Sequence, residues 1–183
     1  MSRNYKIGLL TLVTTFAIAA GAAFADSGAE LSIGLDAADA RQLDPHFAAS
    51  GADRVVVDMV FNGLFRYLPG QVSDIELDLA ESYEVSDDGL TFTFRLREGV
   101  WFHPFPGYPE GHELTAADVV FSINKAGDPE TSTYVGDMEV FTAEAVDDYT
   151  VRVQMSHRVP TPERLLADYS GGFIVSKAAF DSS

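Results

Sequence analysis

Asp87-Asp88-Gly89-Leu90-Thr91-Phe92-Thr93-Phe94-Arg95-Leu96-Arg97 decides the fold class. Asp-Asp-Gly is turn chemistry, and the residues after it alternate apolar and polar without a fault. A strand sends successive side chains to opposite faces, so Leu90, Phe92, Phe94 and Leu96 share one face, which must be buried. Upstream, Tyr83 and Val85 alternate with polar neighbours and supply the partner strand of a hairpin. The same grammar returns downstream. Residues 141–146 lead into Asp147-Asp148, after which Tyr149, Val151, Val153 and Met155 alternate with Thr150, Arg152 and Gln154. Each half-buried hairpin needs a cover, and a helix between them can supply it. Thr115-Ala116-Ala117-Asp118 has capping-box spacing, and Ala116, Val119, Val120 and Ile123 line one side of the helix that follows. The pattern predicts an α+β fold of sheet hairpins packed by helices.

Outside this centre the signals are shorter. Residues 30–36 (ELSIGLD) alternate and read as a strand, and Leu43-Asp44-Pro45-His46 then breaks the pattern. Residues 53–62 carry Val56, Met59 and Val60 at helical spacing and stop at Asn62-Gly63. Residues 64–68 are apolar-rich, and Pro69-Gly70 turns the chain. After Val159-Pro160-Thr161-Pro162 a short helix runs through Leu165 and Leu166, with proline in its first turn. Gly171-Gly172 then precedes a predicted strand, Phe173-Ile174-Val175, and Ser176 caps a last helix with Ala178, Ala179 and Phe180. That helix meets Ser183 soon after its start, which reads as a truncation.

The amino terminus sets the expected compartment. Arg3 and Lys6 precede an uncharged, mostly apolar run over residues 7–20, and Ala23-Phe24-Ala25 is a small-x-small cleavage triplet. Cleavage before Asp26 would leave 158 residues with 10 Lys+Arg against 28 Asp+Glu, a net charge of −18. A field of that sign disfavours nucleic acid and anionic lipid as partners. There are no cysteines, which excludes a disulfide framework, a thiol nucleophile and a lipid-modified cysteine.

Little in the residues demands catalysis. Asp87-Asp88 and Asp147-Asp148 fall at turns, where aspartate binds nearby backbone amides. His46, His103, His112 and His157 lack the helical spacing that sets two metal ligands on one face, and they read as solvated or loop-packing residues. No Gly-x-Ser-x-Gly elbow or phosphate loop occurs. A small exported metallohydrolase using His103, His112 and Glu113 is the enzymatic alternative.

Five stretches, in this order, resemble the amino-terminal part of the family 5 extracellular solute-binding proteins, which serve ABC importers of peptides, nickel and related solutes. They are Leu43-Asp44-Pro45-His46, Asn62-Gly63-Leu64, Leu79-Ala80-Glu81-Ser82-Tyr83, the run from Asp87 to His103, and Leu114-Thr115-Ala116-Ala117-Asp118-Val119-Val120-Phe121-Ser122. The resemblance implies a periplasmic-binding-protein-like type II fold, mixed α+β and α/β, of which this chain is an amino-terminal lobe fragment with an accessory α+β domain. Residues 1–25 are then the signal peptide and 26–44 hold the first strand of lobe I. Residues 45–165 build the accessory domain, and 166–183 return to lobe I and are truncated there.

The implied function is a periplasmic receptor that delivers a small solute, a peptide or a related molecule, to an ABC importer. It would be no enzyme, with no cofactor and no metal. Its partners would be a small solute such as an oligopeptide or dipeptide and the permease in the inner membrane, with no nucleic acid and the protein itself a monomer. The alternative is a free-standing exported interaction domain without a transport role. The family's ligand contacts carry over to Ala49, Ser50 and Gly51 in the stretch after Leu-Asp-Pro, and to Tyr134 beyond Asp128-Pro129. Asp168 and Tyr169, before the return strand, complete the set. The 48–51 stretch lacks the carboxylate that peptide-binding members place there. Bland roles stand beside these: Ser50 as a helix cap, Tyr134 and Tyr169 as half-buried packing.

Overall fold

A computed structural model describes residues 42–182. The leader and the strand expected over 30–36 lie outside the described residues. In chain order the elements are α1 (Gly51–Val60), β1 (Phe65–Tyr67), β2 (Ile75–Leu77), β3 (Ala80–Val85), β4 (Thr91–Leu96), β5 (Trp101–Phe102), β6 (His112–Glu113), α2 (Ala116–Ala126), α3 (Val135–Met138), β7 (Phe141–Asp147), β8 (Thr150–Met155), α4 (Pro162–Leu165) and α5 (Lys177–Asp181).

The two hairpins form where the alternation places them, and they join into one antiparallel sheet of order β3-β4-β8-β7. The β4–β8 pairing sets Phe92 opposite Val153 and Phe94 opposite Val151, so both hairpins turn their apolar residues to the same side. Phe92, Phe94, Leu96, Val151, Val153 and Met155 are all buried there. Burying each such side chain contributes about 1.5–3 kcal/mol. Helix α2 lies across β7 and β8 on that face and adds Ala116, Val119, Ile123 and Ala126. Phe65 of β1 closes the other end, edge-on to Phe94 with ring centroids 5.6 Å apart. The opposite face carries Thr91, Thr93, Arg95, Thr150, Arg152 and Gln154, and holds surface ion pairs such as Arg95–Glu98 at 2.9 Å.

The turn residues act as expected. Gly89 has φ +69°, a conformation that would strain a residue with a Cβ. Asp88 accepts the Leu90 amide at 3.0 Å, and Asp147 accepts the Tyr149 amide at 2.9 Å. The Ser86 hydroxyl, then the Leu90 amide, hold the Asp88 carboxyl below its usual range. For Asp147 the Tyr149 amide is the main cause. At the start of α2 the Thr115 amide donates to Asp118 Oδ2 at 3.0 Å, within a capping box. Pro162 opens α4, and Ser176 caps α5 by accepting the Ala179 amide at 3.0 Å.

Three expectations need correction. Helix α1 forms, but Ala52, Asp53 and Val57 are its buried residues, while Met59 and Val60 are 58% and 61% exposed. A ten-residue helix covers its small core, made with Ala48 and Phe173, by one narrow stripe only. Gly63 is not the stop of that helix, which ends with Phe61 as C-cap. A Cβ on Gly63 would lie 2.8–2.9 Å from the carbonyl oxygens of Phe65, Gly172 and Leu166, so close backbone approach explains the glycine. Phe173-Ile174-Val175 is not a strand; only the single bridge Gly63–Phe173 forms. Its backbone groups are engaged elsewhere. Phe173 O faces His46, the Ile174 amide donates to Asn62 O at 2.8 Å, and the Val175 amide donates to Ser122 Oγ at 2.9 Å. No helix among the described residues is long and apolar enough to cross a membrane.

Candidate functional site

The segment from Asp44 to Ser50 lies outside helix and strand before α1 begins, yet it is fixed at several points. Asp44 accepts the His46 amide at 3.0 Å, closing a local turn at Pro45. Lys125, from the last turn of α2, reaches this turn with a side chain only 3% exposed. Its Nζ donates to Asp44 Oδ2 at 2.9 Å, to Thr131 O at 3.1 Å and to His46 Nδ1 at 3.2 Å. With Nδ1 accepting, the fully buried His46 carries its proton on Nε2 and donates it to Phe173 O at 3.0 Å. Burial, then the Lys125 charge, push the His46 pKa down to about 4. The imidazole is therefore neutral at physiological pH.

One residue further, the His46 carbonyl accepts the Thr133 amide at 3.0 Å, and the Tyr134 hydroxyl donates to Ala48 O. This positions the expected site residues. Ala49, Ser50 and Gly51 are exposed, and Ser50 caps α1 by accepting the Asp53 amide at 3.1 Å. With its hydroxyl engaged, Tyr134 offers its ring, which meets Tyr169 edge-on at 6.1 Å. The Arg54 guanidinium lies over the Tyr169 ring, its Cζ 4.5 Å from the centroid. The structure thus brings the 48–51 loop, Tyr134 and Tyr169 together. Asp168 lies in the adjoining cleft, which Tyr169 also lines, and accepts the Ser170 amide at 3.0 Å. Burial, then the Asp168 charge, raise the Tyr67 phenol above its ordinary pKa. The cleft encloses about 700 Å3 and is lined by Arg54, Asp58, Asn62, Tyr67, Asp168 and Tyr169, among others.

Sequence reasoning missed Arg54 and Lys125, and it read His46 as solvated or loop-packing without its partners; the structure shows the loop-packing form. Arg54 follows Ser50 by one helical turn, which was a usable signal. Lys125 and His46 are 79 residues apart, and no local pattern links them.

Two of the three residues of the enzymatic alternative, His112 and Glu113, are engaged in local hydrogen bonds. His112 donates from Nδ1 to Glu113 O at 2.9 Å and contacts Ser176 Oγ through Nε2 at 2.7 Å, while Glu113 accepts the Gly99 amide at 2.7 Å. No group of three or more His, Asp or Glu among the described residues is placed to hold a metal ion. Ser176, His112 and Asp118 are neighbours, but Asp118 stands 3.7 Å from Nε2, on the same side of the ring as the serine. A triad needs its carboxylate on the opposite nitrogen, so this cluster is a helix cap with a histidine attached.

Residues 74–182 match the model of the bacterial extracellular solute-binding proteins, family 5, middle region. The chain belongs to that family. Among the curated relatives of this family 5 protein, the glutathione-binding protein GsiB of Escherichia coli strain K12 is 30% identical over 181 residues, spanning 97% of this chain and 33% of that protein. Heme-binding protein A of Haemophilus influenzae is 38% identical over 110 residues, 53% of this chain and 20% of the relative. Among solved structures, the binding protein MoaA of A. tumefaciens R10, in complex with mannopinic acid, superposes with a TM-score of 0.72 at 44% identity. That superposition covers 79% of this chain and 29% of MoaA. The periplasmic binding protein DppA of Helicobacter pylori, in complex with the peptide STSA, gives 0.65 at 30% identity over 76% and 30%. The family 5 chain thus spans a third or less of the length of these relatives, and its fold is that of the corresponding part of a periplasmic binding protein.

Proposed function

We propose that this chain is part of a periplasmic receptor that captures a small solute and hands it to the permease of an ABC importer. Its task is recognition, with no bond made or broken. The 181-residue likeness to a glutathione-binding protein, nearly the whole of this chain, carries the reading. The site geometry supports it. The 48–51 loop is held rigid from beneath by His46, Lys125 and Tyr134, while its outer residues stay exposed. A surface of that kind suits a ligand gripped between two lobes, where closure reports occupancy to the permease. In this reading Ala49, Ser50, Gly51, Tyr134, Asp168 and Tyr169 face or flank the solute. Residues 45–165 form the accessory domain, and 166–183 return to lobe I. The solute is a peptide, a peptide-like molecule such as glutathione, or an opine, following what the relatives bind.

Calorimetric titration of the product of the complete reading frame tests this. The panel is di- and tripeptides, glutathione, mannopinic acid and haem. One-to-one saturable binding by at least one of them, with a smaller radius of gyration in solution scattering, is the expected result. A folded protein that binds none of them overturns the reading.

A further inference from the structure

Arg54 is placed for a ligand that no described residue supplies. Its Nε is buried and has no hydrogen-bond acceptor. Among the described residues Arg54 forms no ion pair, although the sequence carries a net charge of −16 and Asp58 stands one turn along the same helix. Its guanidinium packs on the ring of Tyr169, with Cζ 4.5 Å from the centroid. Three other charged groups of the cleft are engaged, and Asp58 is exposed to solvent. Arg66 is paired with Glu76 at 2.7 Å, Asp78 accepts the side-chain amide of Asn62 at 2.8 Å, and Asp168 accepts the Ser170 amide at 3.0 Å. A guanidinium stays charged at every relevant pH, and a desolvated N–H without an acceptor is costly. Stacking on Tyr169 fixes its plane, so that the donor edge is oriented before anything arrives.

We propose that Arg54 is the carboxylate-binding residue of this cleft and that the solute carries a free carboxylate. The inference rests on the receptor reading above and narrows it to anionic or zwitterionic solutes. A carboxylate approaching in the guanidinium plane accepts from Nε and one Nη together, the two-pronged geometry that arginine favours. Tyr169 then packs against the organic part of the same solute. The cleft volume of about 700 Å3 accommodates a molecule of tripeptide size.

The test uses the product of the complete reading frame and paired ligands: peptides and glutathione with free carboxylates against the same molecules as carboxamides. Wild type should bind the acids at least roughly tenfold more tightly than the amides. Arg54→Gln should abolish that difference while leaving affinity for the amide within about twofold. Arg54→Lys, which keeps the charge but not the fork, should restore part of it. Equal affinity for acid and amide in wild type, or an undiminished preference in Arg54→Gln, overturns the proposal while the receptor reading stands. If no solute binds, the receptor reading fails, and acetate titration followed at the Arg54 Nε–H resonance decides the site alone. A saturable downfield shift supports it. A resonance that does not move overturns it.

Discussion

Lys125 and His46 illustrate how few side chains hold the loop in front of the candidate site. A lysine almost removed from solvent is tolerable only with its charge matched, and Asp44, His46 and Thr131 O supply the acceptors. His46 in turn must stay neutral, because a second cation beside Lys125 would be unpaired. A histidine whose pKa falls to about 4 on folding makes the unfolded chain the better proton acceptor between pH 6.5 and 4. Stability from this group is complete above pH 6.5 and is lost progressively as the pH falls toward 4, by about 3 kcal/mol in all. Urea unfolding between pH 7.5 and 4.5 should show that slope, and His46→Gln should flatten it. An unchanged slope in the variant would place the acid sensitivity elsewhere.

At the scale of elements, Asp118 links three of them. Its carboxylate accepts the Thr115 amide at the start of α2 and the Lys177 amide at the start of α5, and it lies 3.7 Å from His112 of β6. The side chain is 3% exposed, so removing it leaves two partly buried amides without their acceptor. Asp118→Ala should cost about 2–4 kcal/mol in chemical denaturation, and Asp118→Asn distinctly less. Hydrogen exchange should quicken at 112–118 and 175–179 and stay slow in β4 and β8. Uniform quickening across the sheet would mean that Asp118 supports the whole core. The capping role was legible from Thr-Ala-Ala-Asp spacing. The second role, anchoring the return segment, was not, because it depends on a residue 59 positions away. For the same reason 173–175 reads as a strand in isolation. Its apolar run is strand-like, but its amides and carbonyls find side chains and single backbone partners in the folded protein.

For the molecule as a whole, 28 acidic against 12 basic residues make self-repulsion a general opponent of folding. Salt screens exposed charges while leaving the buried Lys125 and Asp118 contacts nearly intact. Raising NaCl from 10 to 200 mM should therefore raise the Tm by roughly 2–5 °C at pH 7.5. A fall would show that specific ion pairs outweigh the net charge. The described residues hold a large core under the four-stranded sheet and a small one of Ala48, Val57 and Phe173 beside the candidate site. Recognition surfaces are expected near the smaller of two such cores, where local rearrangement costs least.

The residue pattern alone determined both hairpins, the face each buries, the capped helix between them and the family resemblance. These follow from short-range rules: side chains alternate along a strand, turns need particular dihedrals, and helix ends need caps. Tertiary structure decided that the hairpins form one sheet, that α1 buries Val57 while Met59 and Val60 stay exposed, and that Arg54 stacks on Tyr169. Those outcomes depend on which distant groups meet once the chain closes on itself, and such meetings leave no periodic trace in the order of the residues.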